Sequence, residues 1–363
     1  MPPHFSPQSE ALEMNQLKAN YKIFCPVDLY PYTDQEDFPK YGLAIQDVLS
    51  CSENISFVQI KGFVFSPKIS WQQDYLPHDL KVTKGRHNCF VFELDLPLKY
   101  PIDPLKEQEF SDKIQGRSYH ESKPPDYSEL GNKWRNADRF VYQAYYFLAL
   151  LQIAHPRMFY SEKMEVYIDD EFFYHGVSMS NFLFDPWESH GNGWPKLHSI
   201  KMYDLWTWLV KYDINLLERS TSKAGRAILA ILQIFSTKNF SVSHHLMWSM
   251  NGIEAIYKTQ WFQVTRQVVE RSQLILGTTE GLDKSLNNLY DFRSRYAHGE
   301  LDMYPIYHEA DITIDPVNKY YREVGSQIRL AILVLVASLQ QLVIQDRSEF
   351  SFAPIRAKNK ANR

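Results

Sequence analysis

The chain has 363 residues, 44% hydrophobic and 23% charged, with a formal net charge of -4 at pH 7. That length exceeds one small domain, and the apolar share is enough for a sizeable core. The acidic balance excludes a protein that binds nucleic acid through its overall charge, so any RNA contact must be a local basic patch. Three cysteines, Cys25, Cys51 and Cys89, are odd in number and lack CxxC spacing. They are read as inert thiols and not as a disulfide framework or a zinc site. Aromatic residues make up 15%, which points to large packed cores before any platform for stacked bases. The N-terminus shows no basic region followed by an apolar one, so no signal peptide is expected.

Residues 1–200 read as a mixed α/β region. The segment from Ile55 to Phe65 is rich in β-branched and aromatic residues and reads as a strand or hairpin. A second strand is expected from His87 to Leu96, ended by Pro97, and a third from Met164 to Ile168, with Asp169 and Asp170 as its turn. Pro101 to Leu130, rich in proline and charge, reads as an extended loop. Trp134 to Ala154 carries Phe140, Ala144, Phe147, Leu148 and Leu151 at helical spacing, and Pro156 ends it. Asn181 to Pro195 has no periodic run and reads as a loop leading into the second half.

From Lys201 the pattern is helical. Amphipathic or apolar helices are expected at Tyr203–Leu217, Ala224–Phe235, Val242–Tyr257, Phe262–Leu276, Leu282–His298 and Tyr320–Ile344. Short connections join them, apart from a longer insertion between His298 and Tyr320, so residues 201–350 form a helical bundle. The apolar run Ile328–Ile344 is interrupted by Arg329, Gln340 and Gln341, which favours a core helix over a membrane span. Residues 351–363 are basic and read as a disordered tail. A soluble cytoplasmic protein with no membrane partner is expected.

The segment from Leu289 to Leu301 carries the functional signal. It places Arg293, Ser294 and His298 near a helix end closed by Gly299. An arginine is a fixed cation whose planar fork fits a phosphate, and a histidine moves protons near neutral pH. Transesterification of RNA needs the 2′-hydroxyl deprotonated, the 5′-oxygen protonated and the phosphorane's charge stabilised. His298 suits the first two tasks and Arg293 the third. On a regular helix, residues five apart lie about 140° apart around the axis. The pair therefore converges only if the helix ends near Ala297 or if the two come from different subunits. The bland alternative pairs Arg293 with a carboxylate such as Asp291 or Asp302 and leaves His298 as a helix cap. Elsewhere, His244 and His245 read as core or surface histidines, Asp169, Asp170 and Glu171 as a turn, and Arg266, Glu270 and Arg271 as a solvated, salt-bridged face. No P-loop, GxGxxG, GxSxG or HExxH is present, so no nucleotide cofactor, metal or serine-hydrolase site is expected.

Three pieces of residues 225–345 resemble the HEPN superfamily, and within it the Apea-like HEPN family. These are Gly252-Ile-Glu-Ala-Ile256, the helix that follows it, and above all Leu289-Tyr290-x-x-Arg293-Ser294-x-x-x-His298-Gly299. The resemblance implies a helical bundle that pairs with a second copy. It also implies a metal-independent endoribonuclease site in which Arg293 and His298 are catalytic and Ser294 is a polar neighbour. Glu300 stands where some members of the superfamily carry a modifiable tyrosine, so that regulation is not implied. The expected fold is therefore an α+β N-terminal region, serving as a sensor or recognition module with an unknown trigger, followed by an all-α bundle. The expected partners are an RNA substrate and a second copy of the chain, and the expected setting is anti-phage defence. The alternative is a non-catalytic RNA-binding or dimerisation module coupled to an N-terminal ligand sensor.

Overall fold

The computed structural model describes residues 18–27, 38–52, 57–60, 63–65, 68–75, 87–97, 129–156, 158–159, 161, 164–175, 194–216, 219–236, 242–258, 260, 262–278, 281–301 and 315–352. Seven strands are described: β1 (Lys18–Val27), β2 (Phe57–Ile60), β3 (Phe63–Phe65), β4 (Lys68–Tyr75), β5 (His87–Pro97), β6 (Glu165–Ile168) and β7 (Glu171–His175). Among them lie α1 (Phe38–Ser52) and α2 (Glu129–Ala154). Then follow α3 (Met202–Lys211), α4 (Lys223–Phe235), α5 (Val242–Tyr257), α6 (Val264–Leu276), α7 (Leu282–Ala297) and α8 (Asp315–Ile344). An antiparallel α+β region followed by a helical region is the architecture expected from the sequence.

Five strands form one antiparallel sheet in the order β4-β5-β1-β6-β7, and β2 and β3 form a separate hairpin. The centre of the large sheet is β1, whose Ala19, Tyr21, Ile23, Cys25 and Val27 alternate into the core. Pro26 lies beyond the stretch Tyr21–Phe24 that β6 pairs, so its missing N–H interrupts no bond to β6. Asp169 and Asp170, with φ of 53° and 66°, turn β6 into β7. Two residues in the left-handed region give the turn whose twist matches a hairpin. Asp169 Oδ1 accepts the Asn20 N–H at 2.9 Å, and Lys133 pairs with Oδ2 at 3.0 Å. The acidic cluster is thus the expected turn. The loop expected over 101–130 falls outside the described residues up to 128, and Glu129 and Leu130 already belong to α2.

Helix α2 joins the two halves. It packs on β1 and β6 as well as on α3, α4 and α8. Its second half, from Phe147 to Ala154, is buried almost all round. That explains an apolar pattern wider than one stripe. The buried residues from Ala19 to Phe350 form one continuous cluster across residue 200. Helix α8 is the axis of the bundle and touches every helix from α2 to α7. Its segment Glu323–Ile344 is apolar enough to cross a membrane, yet 78% of its most apolar window is buried inside the protein. That burial is what a core helix requires.

The polar interruptions of α8 tie down the chain ahead of α3. Gln340, fully buried, receives the His198 N–H on Oε1 at 2.9 Å. Its Nε2 donates to the carbonyls of Ile153 at 2.7 Å and His198 at 2.5 Å. Ile200 N–H reaches the Ala154 carbonyl at 2.9 Å. On the other side, Asp47 Oδ2 of α1 accepts the Met202 N–H at 2.7 Å and lies 2.8 Å from His155 Nε2. His155 Nδ1 stands 2.8 Å from Ser199 Oγ. The aspartate–histidine–serine series thus clamps α1, the end of α2 and the start of α3 together. All three cysteines are free and buried, and burial raises their thiol pKa values, that of Cys51 to about 12. They are inert, as the sequence implies.

Candidate functional site

Helix α7 is polar except for the stripe that docks it. Leu286, Leu289 and Tyr290 are buried, and α7 packs on α6 and α8. The helix stops where the sequence places its end. His298 is the C-cap, and Gly299 follows with φ of 70°. The Gly299 N–H bonds the Tyr296 carbonyl at 3.2 Å and the Glu300 N–H bonds the Arg295 carbonyl at 2.8 Å. These two bonds define a Schellman stop, and glycine supplies its left-handed residue without strain.

Arg293 lies one turn earlier and faces α5. Its Nη2 is 3.7 Å from Glu254 Oε1, with side-chain exposures of 34% and 17%. Among the described residues the partner is not Asp291, which is exposed; Asp302 lies outside the described residues. The partner comes from the Gly252–Ile256 segment, 39 positions away. At 3.7 Å the pair is an electrostatic contact and not a hydrogen bond. The Arg293 side chain stays one-third exposed, while its Nε is buried without an acceptor. His298 is exposed and its ring makes no hydrogen bond or ion pair among the described residues, and Ser294 is also exposed. No hydrogen bond joins Arg293 to His298. Each half of the bland alternative is present in part: a carboxylate beside the arginine, and a histidine at the cap. The contact is loose, however, and leaves the arginine able to receive an anion.

Tyr290 completes this corner. Its hydroxyl is buried without a partner. Burial, and then the Glu254 carboxylate, push its pKa well up, so it stays neutral.

The sequence did not point to the residues beyond Glu254. A groove of about 670 Å³ runs between α4 and α5, lined by Lys223, Arg226, Trp248, Glu254, Lys258 and neutral neighbours. On α5 the lining positions 248, 251, 254, 255 and 258 recur at helical spacing, which is the signal in the sequence that marks this face. Gly252, one position along, lets α5 approach its neighbours. A Cβ there would stand 2.6 Å from a Leu335 methyl and 3.0 Å from Ala230 Cβ.

Arg266 and Glu270 form the expected exposed ion pair at 2.6 Å. Arg271 departs from that expectation. It is 2% exposed, donates from Nη1 to the Tyr257 carbonyl at 2.5 Å and to Gln267 Oε1 at 3.0 Å, and lies 4.8 Å from the centre of the Phe352 ring. Its role is to anchor the chain after α8, and burial lowers its pKa. His245 is buried, and His244 Nε2 bonds the Gln233 carbonyl at 2.6 Å. Among the described residues, no three His, Cys, Asp or Glu side chains are grouped to share a metal ion.

No family model, curated protein or solved structure matches the chain. The functional reading therefore rests on the geometry and on the motif.

Proposed function

We propose that the helical half is a HEPN-like module and that the protein is a metal-independent endoribonuclease working as a homodimer. The observation that carries the reading is an arginine side chain, one-third exposed and set beside a carboxylate at 3.7 Å, one turn ahead of an exposed histidine at a helix stop. In the proposed reaction, His298 takes the proton of a 2′-hydroxyl and the oxygen attacks the adjacent phosphorus. Arg293 stabilises the dianionic phosphorane with charge-assisted hydrogen bonds. The bond to the 5′-oxygen breaks, and that oxygen takes a proton from the histidine of the second copy, leaving 2′,3′-cyclic phosphate and 5′-hydroxyl ends. Ser294 sits beside the arginine as an auxiliary donor. The N-terminal sheet region would hold the trigger, and the proposed setting is a cytoplasmic anti-phage effector.

The test is cleavage of a mixed RNA pool by the purified protein in EDTA. Wild type is expected to cut, and Arg293→Ala and His298→Ala to lose about 10² to 10³ in rate while staying folded. Full activity in both variants would overturn the reading. The Arg293–Glu254 contact favours one second reading, a non-catalytic RNA-binding module in which the arginine is a phosphate contact. That reading expects salt-sensitive binding with no cleavage products.

A further inference from the structure

We infer that the groove between α4 and α5 is a binding track for single-stranded RNA, with phosphates at its α4 N-terminal end and a base against Trp248. The choice of RNA over other polyanions rests on the nuclease reading. The layout of the groove stands apart from it. The two helices run antiparallel: His244 near the start of α5 bonds the Gln233 carbonyl near the end of α4, while Lys223 and Lys258, at opposite helix ends, line the same groove. Its cations therefore collect at one end and its aromatic ring lies toward the other.

At the basic end stand Lys223, Arg226 and Lys258, against a single lining carboxylate among the described residues, Glu254. On a chain whose net charge is -4, this is the kind of local positive patch that RNA binding requires. Each of the three cations has a partner. Lys223 meets the exposed Glu349 at 2.8 Å, and Arg226 Nη1 donates to the Thr221 carbonyl at 2.8 Å. Lys258 lies 4.0 Å from Glu254. The two ion pairs are only partly exposed, and surface pairs of this kind are worth little, so they can give way to phosphate contacts. Trp248 is half-buried, with its ring edge-on to His244 at 6.4 Å, and it lines the groove beside Leu229 and Gln233. A groove with cations for the backbone and an aromatic for a base suits single strands, whose bases are free to stack. Glu254 belongs both to this groove and to the Arg293 pair, so a strand lying in the groove runs past the guanidinium.

The test measures binding of a fluorescent single-stranded RNA dodecamer by fluorescence anisotropy. It uses the full chain carrying His298→Ala, so that the probe stays intact, in EDTA. Three phosphate contacts predict that affinity falls roughly 20-fold between 50 and 200 mM salt. Arg226→Glu, at an exposed α4 position, and Lys223→Glu, at a half-buried one, are expected to abolish most of the binding and flatten that salt dependence. Trp248→Ala is expected to weaken it by roughly 5- to 150-fold. Trp248→Phe, which keeps a ring in the same packing, is expected to retain most of the affinity. A duplex of the same sequence should bind more weakly than the single strand. Unchanged affinity in the two charge reversals, an absence of RNA binding, or equal binding of heparin and RNA with no effect of Trp248→Ala would each overturn the groove. Cleavage by wild type, scored separately, decides the nuclease reading. Groove-dependent binding without cleavage leaves the groove standing and removes the nuclease.

Discussion

Glu254 is the residue on which the candidate site turns, because it faces two cations at once. Lys258 stands one helical turn along at 4.0 Å and Arg293 across the helix boundary at 3.7 Å. Neither contact is short enough to use up a cation's donors, so the carboxylate orients both without neutralising either. Glu254→Gln keeps the shape and removes the charge. Cleavage is expected to fall by up to about 10²-fold as the guanidinium loses its orientation. RNA affinity should stay level or rise, since a negative group leaves the groove. A parallel loss of both would make Glu254 a structural residue only. Tyr290 offers a contrast at the same corner. Its buried hydroxyl has no partner, so Tyr290→Phe removes an unsatisfied group and is expected to leave the urea midpoint unchanged or slightly higher. The sequence shows Arg293, Ser294 and His298 because they are close in the chain. It does not show Glu254 as their partner, since that pairing exists only once α5 and α7 are packed.

At the scale of elements, two polar side chains hold the junction between the sheet region and the bundle. Gln340→Leu strands the His198 N–H and two carbonyls inside the core. The expected cost is about 2–4 kcal/mol, read as a lower urea midpoint at unchanged slope. Asp47 supplies a pH-dependent part of the same clamp. Burial raises its pKa, but the His155 hydrogen bond and the Met202 N–H outweigh that and hold it below the usual carboxylate range. Its contribution is therefore fully present above about pH 4, where the unfolded carboxyl is ionised, and is lost as pH falls through the lower folded value. The difference in melting temperature between wild type and Asp47→Asn should shrink below about pH 4. A constant difference down to pH 2 would remove Asp47 from the acid limb. The helices α4 to α8 are legible in the sequence because their apolar residues recur at helical spacing, and α5 matches the expected Val242–Tyr257 in full. Four elements were not legible: β1, α1, β4 and β7. Among the residues of α1 whose burial is described, Tyr41, Ala44, Val48 and Cys51 are buried, a thin stripe. Strand β1 mixes Ala, Asn, Lys and Pro into its alternation, which masks a central strand whose neighbours come from far along the chain. Arg271 was misread for the reverse reason. Its charge suggested a solvated face, whereas the Tyr257 carbonyl and the Phe352 ring that receive it lie on other elements.

At the scale of the molecule, the proposed chemistry asks for more than one chain provides. Cleavage needs one proton removed and another delivered, and the end of α7 offers one exposed histidine with no partner among the described residues that would regenerate it. Two copies related by a two-fold axis would bring two histidines and two arginines into one cleft. The continuous core across residue 200 also joins the N-terminal sheet to the bundle through α2, which packs on β1 and on α8 alike. A subunit-mixing experiment tests the demand for a second copy directly. Excess His298→Ala chain is mixed with wild type, allowed to exchange, and assayed at fixed wild-type concentration. If the site is shared, a tenfold excess leaves about one wild-type chain in eleven paired with its like, and cleavage falls by roughly tenfold. A site complete in one chain is indifferent to the added variant, and unchanged cleavage would refute the dimeric mechanism while leaving Arg293 and His298 as a single-chain pair. Suppression by the His298→Ala chain but not by a chain carrying both His298→Ala and Arg293→Ala would instead show that the silent subunit still needs its arginine to hold RNA.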